Sequence, residues 1–315
     1  MRFKIPCKKF RIPGFVALVV SCLLLVAPMS AAADSGADMD RALFWSIQKG
    51  GQPAGNLLGT IHSEDPRVLD FSESLLSNLK DNGIFAMELV PDLSTLARLT
   101  EHMHYPPGQT LLSVIGEQRF QRLETALSAY KVPPEFISRM KPWAAMMTLS
   151  TPPPKTGFFM DMSLSLRAAG SGLKVVGLET LEQQLSFLQE MPMAMQISLL
   201  DQAIAEYGQV VAAHDEMVDT YLQNDLPSLQ TLSGEQLQQV GKEASDYFIE
   251  AGINARNHRM LESLLGHLAH DRVFIAVGAL HLPGKDGLIN LLRRNGFVLT
   301  PLDLPLRKEP GAATQ

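Results

Sequence analysis

Two short segments of this 315-residue chain stop on histidine in the same way. "LLGTIH" closes on His62 and "AVGALH" on His281, with Gly59 and Gly278 three residues ahead of each ring. Both follow apolar runs of strand composition. Two acids share that placement, Glu88 after "IFAM" and Glu179 after "KVVGL". Two imidazoles and a carboxylate are the ligand set of a divalent-metal site that keeps positions open for water. A second carboxylate is then free to accept a proton or to orient a ligand from behind. The plain alternative is that each group merely ends a strand, and Glu179, just before "TLEQQL", is placed to cap a helix.

Such residues act together only if strands deliver them to one edge. "ALFWSIQ" (42–48) and "NLLGTIH" (56–62), with "KGGQPAGN" between them, read as an antiparallel hairpin. Residues 64–83 have helical spacing, and "IFAMEL" (84–89) is a strand of buried type, so a strand–helix–strand unit with parallel pairing follows. "LKVVGLE", "DRVFIAVGALH" and "FVLTPLDL" supply three more strands. The fold class expected is α/β, a central mixed sheet with helices on both sides. Helical insertions at about 92–170 and 180–269 are expected to form a cap. In open α/β sheets ligands bind beyond the carboxyl ends of the strands, where His62, Glu88, Glu179 and His281 all fall. Glycine at 59 and 278 lets a neighbouring strand or substrate come close. "HLPGKDG" after His281 turns into a helix whose first amides are suited to an anion.

The first 33 residues read differently. Arg2, Lys4, Lys8, Lys9 and Arg11 precede the apolar "FVALVVSCLLLVA", and "MSAAAD" offers small residues for cleavage near Ala33. This is the pattern of a secretory signal peptide, shorter than the roughly 20 apolar residues of a membrane span. Both cysteines, Cys7 and Cys22, lie in it, so the exported chain has no disulfide and no thiolate ligand. Without the leader's five basic residues the net charge of −6 deepens to −11, which argues against nucleic acid or anionic membrane as a partner. The expected organisation is a signal peptide (1–33), a single domain (34–306) and a disordered tail (307–315), in a periplasmic or secreted protein whose oligomeric state stays open.

Other polar residues read blandly. His102 and His104 sit at a helix end, His258, His267 and His270 on one helical region, and His214 at the surface; Arg256 is expected to be solvated.

The chain nevertheless resembles the TraB/GumN family, which includes the Tiki-type metalloproteases, from about residue 42 to 302. The likeness is carried by "NLLGTIH", "AMEL", "GFFMD", "VVGLETLEQQLSFL", "ARN" and "FIAVGALHLPGKDGLINLLRRNGF". The family hallmark of two Gly-x-x-His motifs and a glutamate matches Gly59 with His62, Gly278 with His281, and Glu88. Its Arg-Asn segment falls on Arg256 and Asn257, and its Gly-Leu-Glu-Thr segment on Glu179. The resemblance implies a divalent metal (manganese, cobalt or zinc), peptide-bond hydrolysis, and an EreA/ChaN-like fold. On that basis His62, Glu88 and His281 are expected to hold the ion, Glu179 to accept a proton, and Arg256 to stabilise an oxyanion, on a peptide or small-molecule substrate. Gly59, Gly278 and Asn257 are expected to support substrate or structure. The alternatives are a periplasmic haem- or metal-binding protein without turnover and a regulator that sequesters a peptide.

Overall fold

Gly50 and Gly51, with φ of 57° and 77°, supply the two positive values that a tight two-residue turn demands. They join β1 (Phe44–Lys49) to β2 (Gln52–Thr60) as the predicted antiparallel hairpin. The turn is shorter than expected: Gln52 already pairs with Lys49, and a bulge opposite Ile47 and Gln48 absorbs the extra residue. The structure, a computed structural model, describes residues 40–304 and Leu306. The signal peptide, its cleavage near Ala33 and the 307–315 tail lie outside the described residues.

The remaining strands are β3 (Ile84–Met87), β4 (Lys174–Gly177), β5 (Val273–Gly278) and β6 (Phe297–Leu302). They form one six-stranded sheet in the order β4-β3-β5-β2-β1-β6. β5 runs parallel to β2 and β3, β3 runs parallel to β4, and β1 is antiparallel to β2 and β6, so the sheet is mixed. β2 and β3 share a direction, as a strand–helix–strand unit requires, but they are not neighbours, because β5 lies between them. Registers level the strands at one end: Thr60 pairs with Gly278, and Met87 with both Ala276 and Gly177. The residues that follow these positions therefore emerge along a common edge.

The centre of the sheet is the driest part of the molecule. All six residues of β5 are buried, as a strand covered on both faces must be. Phe274 packs with ring centroids 6.1 Å from Phe44 and 5.9 Å from Phe85, inside the range of favourable aromatic pairs. At one border β6 alternates buried Phe297 and Leu299 with exposed Val298 and Thr300, and Pro301 occupies an edge position where a ladder donor is dispensable.

Two helical blocks surround the sheet, on the expected segments. The region 64–83 is two helices, Pro66–Leu69 and Glu73–Lys80, interrupted where Phe71 bridges to Leu306. Within the first insertion the stretch 134–149 is likewise divided, into Pro134–Arg139 and Pro142–Leu149. Proline 142 has no amide hydrogen to continue the first, and its fixed φ suits it to start the second. Between β4 and β5, a seven-residue π-helical turn at Phe248–Asn254 runs straight into the helix Ala255–Leu268. Among the described residues no helix is long and apolar enough to cross a membrane.

Candidate active site

The edge beyond β2, β3, β4 and β5 holds a buried network built on two carboxylates. Glu88 follows β3 and Glu179 follows β4, and the two strands stay bonded past their ends, Glu179 donating its amide to the Glu88 carbonyl at 2.9 Å. Glu179 does not cap the next helix. That task falls to Thr180, whose hydroxyl accepts from the Gln183 amide while the Gln183 side chain returns to the Thr180 amide. The Glu179 side chain is left to turn inward.

Arg256 meets both acids. Its Nη2 donates to Glu88 Oε2 and to Glu179 Oε2, each at 2.6 Å, and its Nε donates to Glu179 Oε2 at 2.9 Å. The guanidinium is 6% exposed and the Glu179 side chain 0%, so the expectation of a solvated arginine is overturned. Burying charge at this depth is tolerable only because the partners are in contact. Burial pushes Glu88 up, but Arg256, His281 and the Gly278 amide outweigh it and hold the carboxyl at about 2. Burial raises Glu179, against the pull of Arg256. Its Oε1 has no hydrogen bond and lies 3.6 Å from Arg259 Nη2.

One feature aims Arg256 and Asn257. The π-helical turn just before them carries one more residue per turn than an α-helix, which resets the phase at which the next helix presents its side chains. Gly252 within it sits beside the Phe187 ring, where an added Cβ would make an ordinary contact at 3.4 Å.

His281 lies in a single 3-10 turn, Ala279–His281, immediately after β5, and is fully buried. Its Nδ1 is 2.6 Å from Asn257 Oδ1, and the Asn257 amide donates to the Asp286 carbonyl at 2.8 Å. An acceptor at Nδ1 places the hydrogen there and leaves Nε2 with its lone pair. That Nε2 is buried with no hydrogen-bond partner, 3.7 Å from Glu88 Oε1. Burial lowers the ring to about 3, so it is neutral at physiological pH. Gly278 contributes its amide, donated to Glu88 Oε1 at 2.8 Å. Gly59, the glycine of the first motif, faces the second: a Cβ there would lie 2.9 Å from Ala279 Cα. The two motifs thus pack against each other.

His62 follows β2 and stacks on Phe159, with ring centroids 3.7 Å apart. Burial and the neighbouring His214 lower it to about 4, while Glu88 pulls the other way. Its Nδ1 lies 4.0 Å from Asp161 Oδ2, and Asp161 Oδ1 accepts from the Thr60 hydroxyl. Burial pushes the Asp161 carboxyl up to about 7, with the Glu88 charge adding to that push. Asp161 ends the "GFFMD" segment but is not among the site residues read from the sequence; the usable signal is an acid in the first turn of a helix that follows two aromatic residues. His214 is half-buried, with Nε2 3.4 Å from the His62 carbonyl. Three other histidines have separate partners: His102 meets Gln189, His104 the Thr100 carbonyl, and His258 the Asp286 carboxylate.

Glu88, Glu179, Arg256, Asn257, Gly278 and His281 therefore form one contact network, flanked by the pair His62 and Asp161. Among the described residues no three His, Asp or Glu side chains stand in an arrangement ready to hold a metal ion. The donor chemistry nonetheless fits a divalent cation. Both imidazoles are neutral, as ligands must be, one has a buried nitrogen with no partner and its opposite nitrogen held, and the acids outnumber Arg256.

Comparison with known proteins follows the same outline. The family model described as the TraB/PrgY/gumN family matches residues 43–301. Metalloprotease TIKI1 of Danio rerio is 25% identical over 86% of this chain and 65% of its own length, and its Xenopus tropicalis counterpart is 23% identical over 81% and 60%. The chain thus spans less than two thirds of these relatives. The uncharacterized protein YbaP of Shigella flexneri is 25% identical over 77% of this chain and 89% of its own length. No solved structure matches.

Proposed function

This chain belongs to the TraB/PrgY/gumN family, and on that footing we propose that it is an exported, metal-dependent peptidase whose ion is held by His62, Glu88 and His281. The similar proteins named metalloproteases support the reaction class. The observation that carries the site is the buried Nε2 of His281, partnerless beside Glu88 while Asn257 holds the opposite nitrogen. A manganese, cobalt or zinc ion bound there would acidify water toward neutral pH and polarise a peptide carbonyl.

The protein groups then have distinct tasks. Glu179 is the proton acceptor: burial raises its affinity for a proton, and Oε1 is uncommitted by hydrogen bonds. Arg256 orients both carboxylates; to steady an oxyanion as well, it would have to loosen one of them. Asp161 orients His62. Gly59 and Gly278 keep the two motifs close enough to share an ion. Export rests on the leader, and the acidic mature chain suits a peptide partner rather than nucleic acid or membrane.

The test is metal content and cleavage of a peptide library by the purified mature chain. The wild type should retain a divalent metal and cut peptides, and His62→Ala and His281→Ala should do neither. Equal metal content in the wild type and the double variant would remove the proposal.

A further inference from the structure

A cavity of about 310 Å³ lies against the carboxylate network. Its wall includes Leu99, Met103, Trp143, Met147, Leu185 and Leu188, drawn from the helices Leu93–Met103, Pro142–Leu149 and Leu181–Gln189. Packed helices ordinarily leave few spaces larger than a water molecule. This one is about twice the roughly 150 Å³ in which an apolar cavity takes up benzene.

Gln184 and Arg256 also line it, and both reach Glu88 Oε2, at 3.3 Å and 2.6 Å. Cavity and carboxylate therefore share a wall. Because these two side chains are already bonded to the carboxylate, they offer little to a polar or charged guest. Trp143 lines the cavity with its ring and is 3% exposed. A guest with an apolar body suits such a wall.

We infer that this cavity is a specificity subsite for one bulky apolar side chain, aromatic or long aliphatic, of a peptide whose backbone passes the adjoining carboxylates. The inference rests on reading the adjoining site as that of a peptidase.

Trp143 also supplies the measurement. The chain has two tryptophans, and Trp45 is wholly buried with its indole bonded to the Ala42 carbonyl. Blocked pentapeptides that differ only at the central residue (Gly, Lys, Leu or Phe) are titrated against the metal-free protein while tryptophan emission is followed. Leu and Phe peptides should bind roughly tenfold to a hundredfold more tightly than the Gly peptide, and the Lys peptide no better than Gly. Trp143→Phe should abolish the emission change. Leu99→Phe, filling the cavity from a half-exposed position, should erase the preference while thermal unfolding stays cooperative. Should Leu99→Phe fail to fold, Met147→Phe serves the same purpose.

Equal affinity for all four peptides overturns the subsite, even where metal-dependent cleavage is seen. Uptake of palmitate with no peptide preference overturns it in favour of a lipid cavity. The same preference in a metal-loaded wild type that cuts no peptide upholds the subsite while the peptidase reading fails.

Discussion

Asn257 Oδ1 stands 2.6 Å from His281 Nδ1, and the carbonyl of Asp286 fixes the other end of the same amide. An outer partner of this kind sets which nitrogen of a ligand histidine carries its lone pair. Asn257→Ala should leave a folded chain whose affinity for manganese or cobalt is about 10- to 100-fold weaker, read by isothermal titration. Unchanged affinity would mean that the ring is oriented by packing alone.

Arg256 answers two buried carboxylates at once. Arg256→Met should therefore cost about 3–5 kcal/mol in chemical denaturation, the usual result of stranding buried charge. Adding Glu179→Gln should recover part of that loss, because one of the two stranded charges is gone. If the second substitution makes the loss larger, the two acids do not repel through the missing guanidinium.

Gly59 is a steric requirement, since a Cβ there would meet the Ala279 backbone at 2.9 Å. Gly59→Ala should destabilise the fold by about 1–3 kcal/mol and weaken metal uptake by displacing the turn that carries His281. Gly208→Ala, where a Cβ has nothing within 4 Å, should stay within about 0.5 kcal/mol of wild type. Equal effects at the two positions would refute the close-approach argument.

Acid sensitivity is traceable at Asp65. It caps the helix Pro66–Leu69 and pairs with Arg67, and the hydrogen bond from Arg67 outweighs burial and lowers its carboxyl. A depressed carboxylate contributes stability that is complete above its unfolded value near 4 and disappears as pH falls through the folded value. Asp65→Ala should thus cost about 1 kcal/mol at pH 7, with the gap to wild type closing below pH 4. A gap that is constant from pH 7 to pH 3 would show that the charge contributes nothing.

Much of the site was legible because strands end where apolar runs end. Gly-x-x-His at 59–62 and 278–281, and acids at 88 and 179, could be assigned to strand tips from composition alone, and the sheet levels those tips. Asp161 was not legible. It stands on a helix a hundred residues from Thr60, and only the folded chain brings them into contact. The burial of Arg256 was hidden for the same reason, since a polar helix segment reads as solvated until its carboxylate partners arrive from β3 and β4. Local pattern also could not show that β5 separates β2 from β3, because insertion between two earlier strands leaves no mark in the spacing of either. The divided helices at 66–80 and 134–149 were masked by apolar periodicity that continued across each break.

That insertion has a temporal meaning. The middle strand of the sheet comes from residues 273–278, so β2 and β3 have no common neighbour until most of the polypeptide has been made. Contacts between such distant segments are slow to form, because a long loop must close before they are rewarded. A chain truncated ahead of residue 273 lacks His281, one of the three proposed ligands. Whatever chemistry this edge performs is thereby withheld from unfinished copies of the protein, with no inhibitory segment needed to restrain them.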